Sequence, residues 1–248
     1  MDSQLYRDFA RLEDSHWWFR GRRAVIREVL RRTLPAGPLR ILDVGCGTGG
    51  MLKMLGEFGS VEGLDASEEG LGYCRERVGP ALVLHKGVLP SGLPDGRRYD
   101  LVTAFDVLEH LEDPVTALSA IRAAVELKGA FVCTVPAYQL LWSDHDIVNH
   151  HQRRYTHGLL RQHIEAAGFA FGFHSYFNSV LLPPIALVRL AQRLLPRLAG
   201  PGDARSDFSE ASPLLNRFLE GLFSAERFVV PRMRLPFGVS LVAVARPR

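Results

Sequence analysis

The sequence predicts an α/β chain built on an open, mostly parallel sheet, and three observations carry that expectation. The stretch ILDVGCGTGG, Ile41 to Gly50, runs two apolar residues into Asp43 and then into Gly45, Gly47, Gly49 and Gly50. That is the pattern of a buried strand turning sharply into a helix. YDLVTAFDVLEHLEDP, Tyr99 to Pro114, gives a second apolar strand with a polar tip. Between and after them, short apolar runs alternate with stretches of helical periodicity, as in parallel strands joined by crossover helices.

Bulk properties bound the answer. A chain of 248 residues suits one α/β domain with insertions and buries a sizeable core. With 30 Lys+Arg against 27 Asp+Glu the net charge is only +3, and no dense basic tract stands out, which disfavours nucleic acid as partner. The three cysteines, Cys46, Cys74 and Cys133, are odd in number and widely spaced. They argue against a disulfide framework or a Cys-based zinc site and for a reducing, cytoplasmic setting. The first twenty residues are charged and carry no apolar signal core.

Along the chain, residues 5–34 read as helices, with Leu5, Phe9 and Leu12 on one face and Val25, Ile26, Val29 and Leu30 on another. Between them lies HWWFRGRR, His16 to Arg23. Two adjacent tryptophans cannot both face inward on one helix, so this element either packs a helix end over the sheet or forms a lid. In the lid, Trp17, Trp18 and Phe19 shield a ligand and Arg20 or Arg23 pairs with its carboxylate. Pro35, Gly37 and Pro38 stop the helix. Strands are expected at Arg40–Val44, Val61–Leu64, Leu82–Leu84, Leu101–Phe105 and Phe131–Val135, with a helix over Val115–Leu127 ended by Lys128 and Gly129. Asp65, at the second strand tip, is either a ribose ligand or the N-cap of the helix that follows.

Glycines let the backbone turn and a ligand approach closely, and the next helix offers free N–H groups and a positive dipole end. This is a nucleotide-type cofactor site. Gly45, Gly47 and Gly50 match a dinucleotide fingerprint, with Asp65 suitably placed. Asp43, however, would face a pyrophosphate badly and suits a cationic cofactor bearing an ammonium group.

The D-x-G-x-G-x-G run resembles motif I of the class I S-adenosylmethionine-dependent methyltransferases, and D-V-L-E-H-L-x-D-P, from Asp106, resembles the post-strand-4 motif of their small-molecule members. A W-F-x-x-R element like the one here precedes motif I in some of them. The resemblance covers about Trp17 to Gly168. It implies a Rossmann-like, seven-stranded, mostly parallel sheet with helices on both faces and an antiparallel C-terminal strand. It implies S-adenosyl-L-methionine as cofactor and S-adenosyl-L-homocysteine as product. By the same resemblance, Asp43, Gly45, Cys46 and Gly47 form the turn, Asp65 and Ala66 meet the ribose, and the Gly87–Val88 backbone meets the adenine. Phe105 and Asp106 line the methionine end, Trp18 and Arg20 close the lid, and Glu109 and His110 hold the loop. Two departures stand out: the third strand tip lacks an acidic residue, and L-K-G replaces the usual L-K-P-G-G.

Tyr138 to Leu160 concentrates His145, Asp146, His150, His151, Arg153, Arg154, Tyr155 and His157 just after the fifth strand. Its W-S-x-H-D…H-x-R-R-Y pattern, starting at Trp142, is similar to that of methyltransferases of cell-envelope, glycolipid or secondary metabolism. Three readings stay open. His145 or His151 is a general base oriented by Asp146, with Trp142, Arg153, Arg154 and Tyr155 binding the acceptor. Alternatively, His145, Asp146 and His151 bind a divalent metal, although no metal is assigned. Or the cluster is a structural hydrogen-bond network.

Strands are expected at Phe169–Phe177 and Val239–Ala245; the resemblance implies that they form the antiparallel pair closing the sheet, with 178–238 inserted between them. In that insertion, 180–199 is too short and charged to span a membrane, with Arg189, Arg193 and Arg197 every four residues. It either rests on a membrane or lipid-linked substrate or serves as a cap or dimer helix. The expectation is one domain, 1–248, with a lid at 1–34 and an acceptor-shaping insertion at 178–238. The expected activity is O-methylation of a small-molecule, glycolipid or secondary-metabolite acceptor. The alternatives are an NAD(P)-dependent oxidoreductase and a non-catalytic cofactor-binding partner subunit.

Overall fold

A computed structural model of the chain describes residues 3–194 and 212–248. Strands β1 (Leu39–Val44), β2 (Gly59–Asp65), β3 (Val83–Lys86), β4 (Tyr99–Phe105), β5 (Val125–Pro136), β6 (Phe169–Phe177) and β7 (Ser240–Pro247) form one sheet in the order β3-β2-β1-β4-β5-β7-β6. All neighbours from β3 to β5 are parallel, and β7 runs antiparallel to both β5 and β6. This is the expected Rossmann-like arrangement, including the closing antiparallel pair. The helices are α1 (Ser3–Leu12), α2 (Trp17–Thr33), α3 (Leu52–Leu55), α4 (Glu68–Val78), α5 (Pro114–Ala124), α6 (Asp144–Val148), α7 (His157–Ala166), α8 (Leu182–Leu194) and α9 (Pro213–Ala225).

The pleat of the strands divides the core. Ile41, Leu101, Val132 and Val242 face α2, α3 and α9, where they meet Val25, Ile26, Val29, Leu52 and Phe223. Leu42, Val102, Phe131 and Cys133 face the opposite way, onto Leu118 and Ile121 of α5 and Leu160 and Ile164 of α7. Both faces are covered, so the central strands read as unbroken apolar runs. β1 has β2 on one side and β4 on the other, so the chain winds away from it in two directions. The crevice between the β1 and β4 tips is where such sheets hold ligands.

α9 lies close against α2 because α2 carries a glycine at the crossing. A Cβ built on Gly21 would stand 2.7 Å from Cγ of Phe223. Phe223 is itself buried, with Trp17 at 6.2 Å and Phe177 at 6.1 Å between ring centroids. Gly21→Ala should therefore overpack this seam and cost about 1–3 kcal/mol despite the better helix propensity of Ala. Urea unfolding read by circular dichroism checks this, and an unchanged midpoint would refute it.

The helix expected over Val115–Leu127 ends earlier. α5 stops at Ala124 and β5 begins at Val125, so Lys128 and Gly129 lie inside a strand and do not terminate a helix. Val125 fits a helical stripe with Leu118, Ile121 and Ala124, but it also pairs with Tyr99 across a register shift. Sheet pairing outweighs local periodicity at that residue. A further helix, α6, forms within the histidine-rich stretch. Its first turn is closed by a capping box between Ser143 and Asp146. Residues 195–211, Arg197 among them, lie outside the described residues, as do the side chains of Leu5 and Arg193. Among the described residues no helix is long and apolar enough to cross a membrane.

Candidate active site

β1 delivers the chain into a turn whose Gly45 and Gly47 have φ of +71° and +54°, a region that L side chains rarely adopt. Gly45 is also the point of closest approach to the loop after β4, since a Cβ there would stand 2.5 Å from Cγ2 of Val107. Gly47 N–H donates to Oδ2 of Asp65 at 2.8 Å, and Ser67 N–H donates to Oδ1 at 2.8 Å. The N-cap of α4 is Ser67, not Asp65. Asp65 thus keeps accepting capacity toward the crevice.

Asp43 is 2% exposed at the tip of β1, and the Thr103 hydroxyl donates to its Oδ1 at 2.6 Å. Burial pushes its pKa up to about 7, against the opposing pull of the Thr103 hydrogen bond and the Arg22 charge.

These groups open onto a cavity of about 620 Å³. Its walls come from Asp43, Gly45, Cys46, Gly47 and Asp65, from Phe105, Asp106, Glu109 and His110 after β4, from Tyr6, Glu13, Trp17, Trp18 and Arg22 of the N-terminal helices, and from His145, His151 and Arg154. Leu181, Ile185, Val188 and Arg189 complete it from α8 and the residue before it. The N-terminal segment is pinned over the glycine turn by Glu13, which accepts from the Thr48 hydroxyl and pairs with Arg77 at 2.9 Å.

The arginine that faces the cavity differs from expectation. Arg20 is exposed and pairs with Glu220 at 2.9 Å, and Arg23 donates to Gly50 O at 3.3 Å; neither lines the wall. Arg22 does so, bonded to Asp106 at 3.0 Å and to Thr134 at 3.1 Å, with its guanidinium 5.0 Å from the Trp18 ring and 5.8 Å from Phe105. The signal was available: Arg22 falls on the same helical stripe as the buried Phe19, Val25, Ile26 and Val29. A charge on an apolar stripe needs a partner of opposite charge. That partner, Asp106, sits at φ +56°, strained for a non-glycine residue at a strand tip. Both tryptophans are half-buried and both line the cavity, so neither is the purely inward one.

The histidine-rich segment is organised by Asp146, which is fully buried. It accepts from Arg154 at 2.7 and 2.9 Å and from Ser143 N–H at 2.8 Å, and it bonds His151 Nδ1 at 2.8 Å. Burial alone would raise its pKa, but His151 and Arg154 override that and hold it well below the usual carboxylate range. The His151 ring lies 4.7 Å from His110 and 6.1 Å from His145. Burial and the neighbouring His151 push His110 down to about 4. Glu109 is fully buried, and neither carboxylate oxygen has a partner among the described residues. Its carboxyl is pushed well up by that burial and by the charge of Asp106. Glu109 therefore does not hold the loop through its side chain.

Several of the expected site residues stand outside the cavity wall. Ala66, Gly87 and Val88 do not line the cavity, and Gly87 N–H donates to Asp65 O at 3.0 Å. Trp142, Arg153 and Tyr155 also stand outside its wall. Arg153 donates to Glu112 O at 3.1 Å, while buried Tyr155 donates to Leu108 O at 3.2 Å and tethers the segment to the β4 loop. Arg154 lines the wall but is engaged by Asp146 and by Ala137 O at 3.3 Å. The trio His145, Asp146 and His151 does not form a metal cluster, because Asp146 is committed to Arg154.

Glu226, just past α9, anchors the turn that leads from β6 to α8. It accepts from Asn178 and Ser179 N–H, each at 2.6 Å, and from Val180 N–H at 3.2 Å. Glu226→Ala leaves three N–H groups without their acceptor, two of them on the buried residues Asn178 and Ser179, and is expected to cost about 3 kcal/mol. Thermal unfolding reads that loss, and a melting temperature equal to wild type would refute the cap.

Comparison with known proteins places the chain. Residues 18–173 match the family described as "Methyltransferase domain". The ubiquinone biosynthesis O-methyltransferase of Cereibacter sphaeroides is 30% identical over 109 residues, which are 42% of this chain and 44% of that protein. The chain thus spans less than half the length of the curated relatives it matches. One chain of a complex between the Haloferax volcanii Trm112 methyltransferase activator and a methyltransferase superposes with a TM-score of 0.61 at 21% identity, covering 97% of this chain and 92% of that one. An S-adenosylmethionine-dependent methyltransferase from Clostridium acetobutylicum gives 0.59 at 13% identity, covering 98% and 99%. These two likenesses speak for the fold, and the family match covers well over half of the sequence. The chain belongs to the methyltransferase-domain family.

Proposed function

We propose that this protein transfers a methyl group from S-adenosyl-L-methionine to an oxygen of a small or lipid-linked acceptor. The observation that carries this is the pair of carboxylates, Asp43 and Asp65, flanking a bare glycine turn and opening onto one cavity at the switch point of the sheet. The donor set fits that cofactor. Asp65 offers lone pairs to ribose hydroxyls, Asp43 offers a buried anion to an ammonium group, and Arg22 offers a cation held near the Phe105 ring. When bound, the cofactor supplies an already activated methyl group, so the protein's work is alignment and, for a hydroxyl acceptor, removal of a proton. His145 and His151 both line the cavity, and Asp146 fixes the ring of His151 with its Nε2 turned away from the carboxylate. Either ring can accept that proton.

The acceptor end supports an apolar or lipid-linked substrate. Leu181, Ile185, Val188 and Leu219 line it, and Leu187 and Leu190 of α8 are 67% and 50% exposed beside it. An O-methyl acceptor accords with the name of the Cereibacter relative, a ubiquinone biosynthesis O-methyltransferase. Peripheral contact of α8 with a membrane belongs to the same proposal. The nicotinamide-dependent and non-catalytic alternatives find no support in the family match.

Calorimetry with S-adenosylhomocysteine and with NAD tests the proposal. Saturable binding of the first at one equivalent is expected. Binding of NAD alone would overturn it.

A further inference from the structure

We propose that Glu109, His110 and His151 form a divalent-cation site in the wall of the cavity. One ligand atom from each lies within 4.8 Å of the others, close enough for a single ion to bridge all three. Glu109 supplies the second, independent observation. Its side chain is fully buried, lines the cavity, and leaves both carboxylate oxygens without a hydrogen-bond partner among the described residues. A buried carboxylate with nothing to accept is costly, and such groups are normally paired or bound to metal.

The support around the trio is that of a ligating histidine. Asp146 bonds Nδ1 of His151 at 2.8 Å, which leaves Nε2 as the ligand atom and fixes the ring. Arg154 and Ser143 in turn fix Asp146. Glu109 and His110 sit on the short 3₁₀ turn Leu108–His110 at the tip of β4, tethered from below by the Tyr155 hydroxyl on Leu108 O. The Gln152 N–H bond to Glu109 O, 2.7 Å, ties that turn to the segment carrying His151.

Two imidazoles and one carboxylate suit first-row ions such as Zn²⁺, Mn²⁺, Fe²⁺ or Co²⁺ better than Mg²⁺ or Ca²⁺, which prefer all-oxygen shells. Three protein ligands leave positions open on the side of the cavity. A hydroxyl of the acceptor coordinated there would be more acidic than in water. His145, 6.1 Å from His151 between ring centroids, would then take its proton, and the oxygen lone pair would form the new O–C bond as the C–S bonding pair returned to sulfur. The ion's role in chemistry rests on the methyl-transfer proposal, whereas its binding does not.

Co²⁺ titration of the chelator-treated full chain, read by visible d–d absorption, tests the site. Wild type should bind one equivalent, with intensities of a four- or five-coordinate N/O shell. Glu109→Gln, nearly isosteric, and His151→Ala should each weaken binding at least ~100-fold, more than loss of an outer-shell partner. If Glu109→Gln fails to fold, His110→Ala carries the same expectation. Absence of saturable Co²⁺ binding, or binding unchanged in the folded variants, overturns the proposal. S-adenosylhomocysteine titrated into the same samples keeps the two proposals apart: cofactor binding without Co²⁺ binding sinks only the ion site, and Co²⁺ binding without cofactor binding sinks only the methyl-transfer assignment.

Discussion

Asp43→Asn is expected to weaken S-adenosylhomocysteine binding roughly 10²–10³-fold, about 3–4 kcal/mol, the loss typical of removing one partner from a buried charge pair. The wild-type protein should also show a pH dependence that the variant lacks. Burial raises Asp43 to about 7 in the free protein. The sign follows from which form binds. An ammonium group pairs with the anion and lowers the pKa in the complex, so the complex holds fewer protons than the free protein below about 7. Binding therefore releases a proton in that range and weakens as pH falls, by up to about tenfold per unit. Above 7 the anion is already present and affinity should level off. Calorimetry from pH 5.5 to 8.5 measures this. A flat wild-type profile, or one that persists in Asp43→Asn, would remove Asp43 from the cofactor's amine.

His151→Ala should lower kcat/KM for methyl transfer by roughly 10²–10⁴, the range for losing a group that takes the acceptor's proton or, as a ligand, holds the ion that acidifies it, while leaving S-adenosylhomocysteine affinity within a few fold. The ring is fixed by a fully buried carboxylate and lines the same cavity as Asp65, the ribose ligand of the proposal. The split between chemistry and cofactor binding is the informative readout. A variant of full activity would leave His151 with a structural role, and one that loses cofactor binding as well would place it at the wrong end of the cavity. Asp146→Asn should give a smaller loss in the same direction together with a lower melting temperature, because Asp146 also anchors Arg154 and the cap of α6.

Much of the architecture was legible because it rests on short-range rules. The apolar run Ile41–Leu42 before four glycines and the strand Leu101–Phe105 stand where periodicity and turn chemistry place them, and the antiparallel pair near the C terminus stands where the family resemblance implies it. Val125 shows where those rules stop, since helix and strand were both locally acceptable and only pairing with Tyr99 decided between them. The site was legible in the same graded way. Asp43, Asp65, Asp106, His145 and His151 converge on one cavity, whereas Arg20, Trp142, Arg153 and Tyr155 point elsewhere.

What the amino-acid order determined by itself was the sheet, its glycine turn and the residue types at the strand tips. Each depends on alternation, on glycine's access to positive φ, or on charge at the end of an apolar run, all properties of neighbours along the chain. What only the tertiary structure decided was which side chains share a space: Arg22 in place of Arg20, Asp146 spent on Arg154, and Glu109 left beside His110 and His151. Those outcomes turn on the rotation of α2 against the sheet and on the return of the His151 segment to the β4 tip. Contacts between residues far apart in the chain set both, and no local pattern encodes them.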